Sequence, residues 1–253
     1  MEQPTRSPLN GRVAVVTGAT GTIGSAITNH LHEDGAKVAM LGRRGRRLER
    51  LKKRCGDDEK LLPIRTDVVD PFDLVEARDE IHDTFGRVNL VVVTAGIMSS
   101  APFEEAIPAK WNAMIDINAR GLLQTAQTFS HDLLAAAADG EPADLVMMGS
   151  VGARHRQRHF AVYSAVYALV AQLSRHLRTE LGARGVRVHM ISPYYAHTHL
   201  GSDMGEQESD WEFEPEETET TSPSRVANLV AKTCALPRHI NLAEAVIRPT
   251  VIN

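Results

Sequence analysis

Thr17-Gly18-Ala19-Thr20-Gly21-Thr22-Ile23-Gly24 follows the short apolar run Val13 to Thr17 and opens a segment of helical period from Ile23 to Asp34. A glycine pattern alone says little, but between a strand and a helix it has a mechanical meaning. Gly18, Gly21 and Gly24 permit a tight reversal, close approach of a diphosphate to the backbone, and close packing of helix on strand. Unpaired N–H groups at the positive helix end then face the phosphates, which sets Thr20, Thr22 and Ile23 beside them. A strand-to-helix turn with no ligand is the competing explanation.

Outward from this turn the same alternation repeats. Short apolar runs occur at Val38 to Leu41, Leu61 to Ile64, Leu90 to Val93, Leu145 to Met148, Val186 to Ile191 and Ala245 to Ile247. Between them lie helix candidates Arg46 to Arg54, Pro71 to Phe85, Ala109 to Ala138 and Ala161 to Ala183. The rhythm predicts an α/β fold: a single Rossmann-type doubly wound domain over residues 1–253, with about seven parallel strands and helices on both faces. Val91, Val92 and Val93 form an unbroken apolar run, as a strand buried on both faces requires, so they belong at the centre of the sheet.

The 253 residues suit one α/β domain, and 43% apolar with 24% charged composition leaves ample surface to bury. A formal charge of -4 gives no general attraction to nucleic acid or to an anionic membrane. No apolar run approaches the roughly 20 residues of a membrane span. Cys55 and Cys234 are too few for a disulfide framework, and the residues before Gly11 carry no apolar leader, so the cytoplasm is the expected compartment. The expected partner is a small-molecule substrate.

The second strand should end near the adenosine ribose. An acidic side chain there would accept hydrogen bonds from both ribose hydroxyls, but the sequence reads Gly42-Arg43-Arg44. Arg43 or Arg44 would instead pair with a 2′-phosphate, which favours NADP(H) over NAD(H). A surface basic cluster continuing through Arg46 and Arg47 would look the same. Asp67 and Val68, after the third strand, are placed to border the adenine.

Taken together, Thr17 to Gly24, Asp67, Ala95-Gly96, Asn118, Ser150, Tyr163, Pro193, Thr198 and the ending Ile247-Arg248-Pro249-Thr250 resemble the short-chain dehydrogenase/reductase family. The resemblance spans nearly the whole chain. It implies a nicotinamide cofactor and a homodimer or homotetramer built through the two long helices near 109–138 and 161–183. It also implies that Ser150 holds a substrate carbonyl and Tyr163 delivers a proton to it. The family places a lysine four residues after the tyrosine, where it favours the phenolate and grips the nicotinamide ribose; this chain has Tyr167. A neutral phenol supplies no charge to Tyr163, whose free pKa is about 10. Asn118 matches the family asparagine that serves this lysine through water. Two further departures lie close by: Val93-Thr94 replaces Asn-Asn before Ala95-Gly96, and Pro193-Tyr194 replaces Pro-Gly.

Cations that would replace the lysine stand between Ser150 and Tyr163, in Arg154-His155-Arg156-Gln157-Arg158-His159. Arg154, His155 and His159 are the substrate-side candidates there. Tyr194, Tyr195 and His197 are the candidates across the cleft, where rings would stack on a planar substrate. His197 and His199 have no third ligand at recognisable spacing, so no metal is expected. From Tyr194 to Ser222 the rhythm breaks into an acidic stretch, expected as a mobile lid over the site. Three functions remain open. The first is an NADP(H)-dependent ketoreductase or alcohol dehydrogenase for a small or polycyclic carbonyl or alcohol, as in secondary metabolism. The second is a cyclase, dehydratase or isomerase using Tyr163, Ser150 and a histidine without hydride transfer. The third is an inactive NADP-binding sensor or structural subunit.

Overall fold

A computed structural model of the chain describes residues 8–153, 158–194 and 221–248. Seven strands occur among these residues: β1 (Val13–Thr17), β2 (Lys37–Gly42), β3 (Leu61–Arg65), β4 (Leu90–Val93), β5 (Asp144–Met148), β6 (Arg187–Pro193) and β7 (Glu244–Ile247). They form one parallel sheet in the order β3-β2-β1-β4-β5-β6-β7. The helices are α1 (Thr22–Glu33), α2 (Gly45–Arg54), α3 (Pro71–Phe85), α4 (Pro108–Ile115), α5 (Leu122–Ala138), α6 (Ala161–Gly182) and α7 (Pro223–Cys234). The chain is therefore a Rossmann-type α/β domain, and β4 with its valines is the central strand.

Alternation along each strand decides which helices cover which face. Val15, Ala39, Val91, Val93, Leu145 and Met147 point to the side covered by α3, α5 and α6. Ala14, Val16, Val38, Met40, Val92 and Val146 point to the side covered by α1, α2 and α7. Both faces are dry, as an all-parallel sheet demands.

Two elements depart from the sequence expectation. The helix expected from Ala109 to Ala138 is interrupted by a π-helical turn, Asp116–Gly121. That turn aims Asn118 back at the segment after β4, where its Oδ1 accepts from the Ile97 amide and its Nδ2 donates to the Ile97 carbonyl, both at 2.8 Å. It also brings Gly121 against Val68, so closely that a Cβ would lie 2.7 Å from Val68 Cγ2. Helix α7 was not expected at all, although Ser222-Pro223 is a start signal: the Ser222 hydroxyl accepts from the Arg225 amide at 3.3 Å and proline occupies the first turn. Ser222→Ala should cost about 1 kcal/mol, seen as a lower urea midpoint with an unchanged slope.

At the amino ends of the strands lies a buried ion cluster. Asp144, with no exposed surface, accepts from Arg12 at 2.6 Å, from Arg187 at 2.7 and 2.9 Å, and faces His189 Nε2 at 2.9 Å. Arg12 and Arg187 also reach the Cys234 carbonyl at the end of α7, and His189 Nδ1 meets the Leu242 carbonyl. Burial alone would raise the Asp144 carboxyl, but the His189 hydrogen bond and the two guanidinium groups hold it down at about 2.

Candidate functional site

At the other end of the sheet, the connections that follow the paired strands β1 and β4 run to opposite faces. A crevice opens outside the carboxyl ends of strands at such a reversal. Its floor is tied by the Thr94 hydroxyl, which donates to the Thr17 carbonyl at 2.6 Å. Gly18 sits at φ +63°, and a Cβ on it would lie 2.7 Å from Ala95 Cα, so both conformation and contact call for glycine. A Cβ on Gly24 would collide with the Gly18 carbonyl.

The resulting cleft has a volume of about 420 Å³ and gathers most of the expected residues. Gly18, Thr20, Gly21, Thr22, Ile23 and Gly24 line its end at the β1–α1 turn. Arg43, Arg44, Asp67 and Val68 line the part beyond β2 and β3, together with Arg47, which was not among the expected site residues. Ala95, Gly96, Ser150, Tyr163, Tyr167 and Pro193 line the remaining end. The neutral walls Ile97, Met98, Ile117, Met148, Val151 and Phe160 were missed, because apolar lining has no sequence signature that separates it from core.

The turn suits a nicotinamide dinucleotide on a structural observation. Helix α1 follows its N-cap residue Gly21, and its first amides, like those of α2, α4 and α6, take no side-chain cap, but it is α1 whose first residues Thr22 to Gly24 line the cleft. Those α1 amides face the cleft, where an anionic diphosphate would satisfy them and the helix dipole together. Asp67 is shaped by its own turn, with Oδ1 accepting from the Val69 amide at 3.0 Å.

Around Tyr163 the geometry is closely packed. Tyr163 is 8% exposed, and its ring centroid lies 4.6 Å from that of Tyr167, one turn along α6, and 6.2 Å from that of Phe160. The Ser150 oxygen accepts from the Gly152 amide at 3.1 Å, which leaves its hydroxyl proton to be donated, and Ser150 lines the same cleft as Tyr163. Burial pushes the Tyr163 phenol up, while hydrogen bonds from Ser150 and Tyr167 oppose the rise. Burial pushes Tyr167 well above the ordinary tyrosine value, and the neighbouring Tyr163 adds to it.

Other expected residues fall elsewhere. Asn118 is buried behind the cleft, with both ends of its amide engaged by Ile97. His159, at φ +69°, lines an adjoining cavity of about 330 Å³ with Glu105, Lys110 and Trp111. Tyr194 packs under the Arg248 guanidinium, 5.0 Å from its ring centroid, and its amide donates to the Ile247 carbonyl. Arg154, His155, Tyr195, His197, Thr198 and most of the acidic 194–222 stretch lie outside the described residues. Among the described residues no three metal-ligating side chains cluster, and no helix is long and apolar enough to cross a membrane.

Comparison with known proteins agrees with this architecture. An uncharacterised oxidoreductase of Staphylococcus aureus (strain USA300) is 31% identical over 242 residues, covering 95% of this chain and 98% of the relative. A short chain dehydrogenase from Burkholderia cenocepacia J2315, solved in complex with NADP, is 26% identical with a TM-score of 0.80, covering 95% of this chain and 97% of that one. A 3-ketoacyl-(acyl-carrier-protein) reductase from Brucella melitensis, solved with NADH, shares the fold at a TM-score of 0.81 and 22% identity, covering 94% and 96%. The family model described as short chain dehydrogenase matches residues 12–209, and the chain belongs to that family of oxidoreductases.

Proposed function

We propose that the chain is an NADP(H)-dependent reductase or dehydrogenase acting on a small or polycyclic carbonyl or alcohol. The observation that carries this reading is the single cleft running from the uncapped α1 amides to the Ser150–Tyr163 pair. When bound, the dinucleotide supplies hydride to a carbonyl carbon or accepts it from an alcohol. The chain's own residues do the rest. Ser150 donates to the carbonyl oxygen and fixes its position, Tyr163 gives that oxygen its proton, and the apolar walls exclude water.

Arg43, Arg44 and Arg47, which all line the cleft beyond β2, support the phosphorylated dinucleotide. Dinucleotides of both kinds accompany the structural relatives, so the preference rests on these three side chains. The double variant Arg43→Ala/Arg44→Ala should weaken NADPH binding by about tenfold to a hundredfold and leave NADH binding nearly unchanged, as read by calorimetry. Equal losses for both dinucleotides would remove the case for a 2′-phosphate site.

The reading as a whole is tested by NADPH consumption with a panel of aldehydes and ketones. The absence of a cation at position 167 favours one alternative, acid–base chemistry without hydride transfer. Substrate turnover with constant NADPH absorbance would establish that alternative. Ile115 on α4, Leu123 on α5 and Leu169 on α6 are exposed apolar residues, which supports a homodimer or homotetramer formed through these helices. A cytoplasmic location completes the proposal.

A further inference from the structure

We infer that Tyr167 is the positioning residue for Tyr163, its hydroxyl donating a hydrogen bond to the Tyr163 oxygen so that the reacting group is an uncharged tyrosine pair. This deepens the reductase reading and rests on Tyr163 being the proton donor.

The geometry is specific to these positions. Residues 163 and 167 stand one turn apart on α6, with ring centroids 4.6 Å apart and ring planes inclined at 54°, so the two phenols are in contact. Room for the second hydroxyl comes from Gly96: a Cβ there would lie 3.3 Å from the Tyr167 hydroxyl and 3.3 Å from Asn118 Oδ1. With Asn118 engaged by Ile97 on both sides, Tyr167 is held between a fixed amide and the Tyr163 ring. Ser150 and Tyr167 are the two neighbours that oppose the rise burial imposes on the Tyr163 phenol.

No charged side chain faces this pair among the described lining residues. Ala95 to Met98 follow β4, Ile117 lies in the π turn, and Met148 to Gly152 follow β5; all are neutral, as are Phe160 and Pro193. The cations of the cleft, Arg43, Arg44 and Arg47, lie beyond β2. His159, Lys110 and Glu105 line the adjoining cavity, and Asp116 pairs with Arg120 at 3.0 Å.

A neutral donor stabilises a phenolate less than a cation does, and burial works against both phenolates. Tyr163 therefore stays protonated well above neutrality. In reduction the carbonyl carbon gains hydride from the reduced nicotinamide, the carbonyl oxygen takes the phenolic proton, and Tyr163 recovers a proton from solvent after product leaves. In oxidation Tyr163 must first lose that proton. Reductive kcat/KM should be flat from about pH 6 to about pH 9, while oxidative kcat/KM rises about tenfold per pH unit with no plateau.

Two measurements on the full chain test this. Ultraviolet titration of tyrosinate, comparing wild type with Tyr163→Phe and Tyr167→Phe, needs no substrate. It should place the Tyr163 ionisation above the ordinary tyrosine range and move it higher still in Tyr167→Phe. Kinetically, Tyr167→Phe should lower reductive kcat by about tenfold to a hundredfold with little change in KM, and Tyr167→Lys should introduce a plateau in the oxidative pH profile nearer neutrality. Tyr163 titrating near neutrality in wild type would overturn the inference and point to a cation such as Arg154 or His155. Unchanged titration and rate in Tyr167→Phe would overturn it too. A chain inactive on every carbonyl, with the titration as expected, would sink the reductase reading and leave the tyrosine pair standing.

Discussion

Tyr163→Phe is expected to lower carbonyl reduction by about 10²- to 10⁴-fold while leaving NADPH affinity and the unfolding midpoint close to wild type. A positioned proton donor contributes about that much, and phenylalanine removes the hydroxyl alone. The ring keeps its packing against Phe160 and Tyr167, so the wall of the cleft is retained. Stability should change little, because Ser150 and Tyr167, whose hydroxyls are left behind, are only half-buried at the cleft wall, which substrate closes to water only when it binds. Steady-state NADPH oxidation, cofactor calorimetry and urea melts decide the matter together. Wild-type turnover in this variant would remove Tyr163 from the chemistry, whereas a parallel loss of cofactor affinity would make it a binding residue.

Asp144→Ala is expected to cost about 3 to 5 kcal/mol of folding free energy, a large part of the 5 to 15 kcal/mol typical of a domain. The carboxylate joins Arg12, Arg187 and His189, so its loss strands two guanidinium groups where water does not reach. The same group gives a pH dependence with a definite sign. The folded carboxyl sits at about 2, below the unfolded value of about 3.9, so its contribution is complete above about pH 4 and fades as pH falls towards 2. That contribution is about 2 to 3 kcal/mol, and wild type should lose it across this window while Asp144→Ala does not. Urea melts at pH 7, 4 and 3 read both effects. Wild type and variant weakening in parallel through that range would mean the carboxylate is not held by its neighbours as described.

Much of the architecture was legible because a parallel sheet buried on both faces leaves unbroken apolar runs. Val13 to Thr17 and Leu90 to Val93 match their strands end to end, and the glycine turn between Thr17 and Gly24 lines the cleft. What periodicity cannot carry is tertiary hydrogen bonding. The π turn at Asp116 to Gly121 exists because Asn118 binds Ile97 and Gly121 meets Val68, contacts between segments far apart in the chain. Asp144 stands just before the run Leu145 to Met148 and Arg187 and His189 lie within Val186 to Ile191, where periodicity marks none of them, yet Asp144 and Arg187 are paired across β5 and β6 and His189 follows on the same face. Helix α7 was hidden behind the acidic stretch despite its Ser-Pro start. The glycines and arginines chosen for backbone geometry or charge line the cleft, while His159, chosen for its chemistry alone, lines the adjoining cavity and Tyr194 packs under Arg248.

The salt-linked knot beneath the sheet has a consequence for how such a chain changes over generations. That knot lies at the pole opposite the crevice, so exchanges of crevice side chains that spare its glycines, position 167 included, leave the knot intact. Descendants are thereby free to explore new substrates without first relearning how to fold.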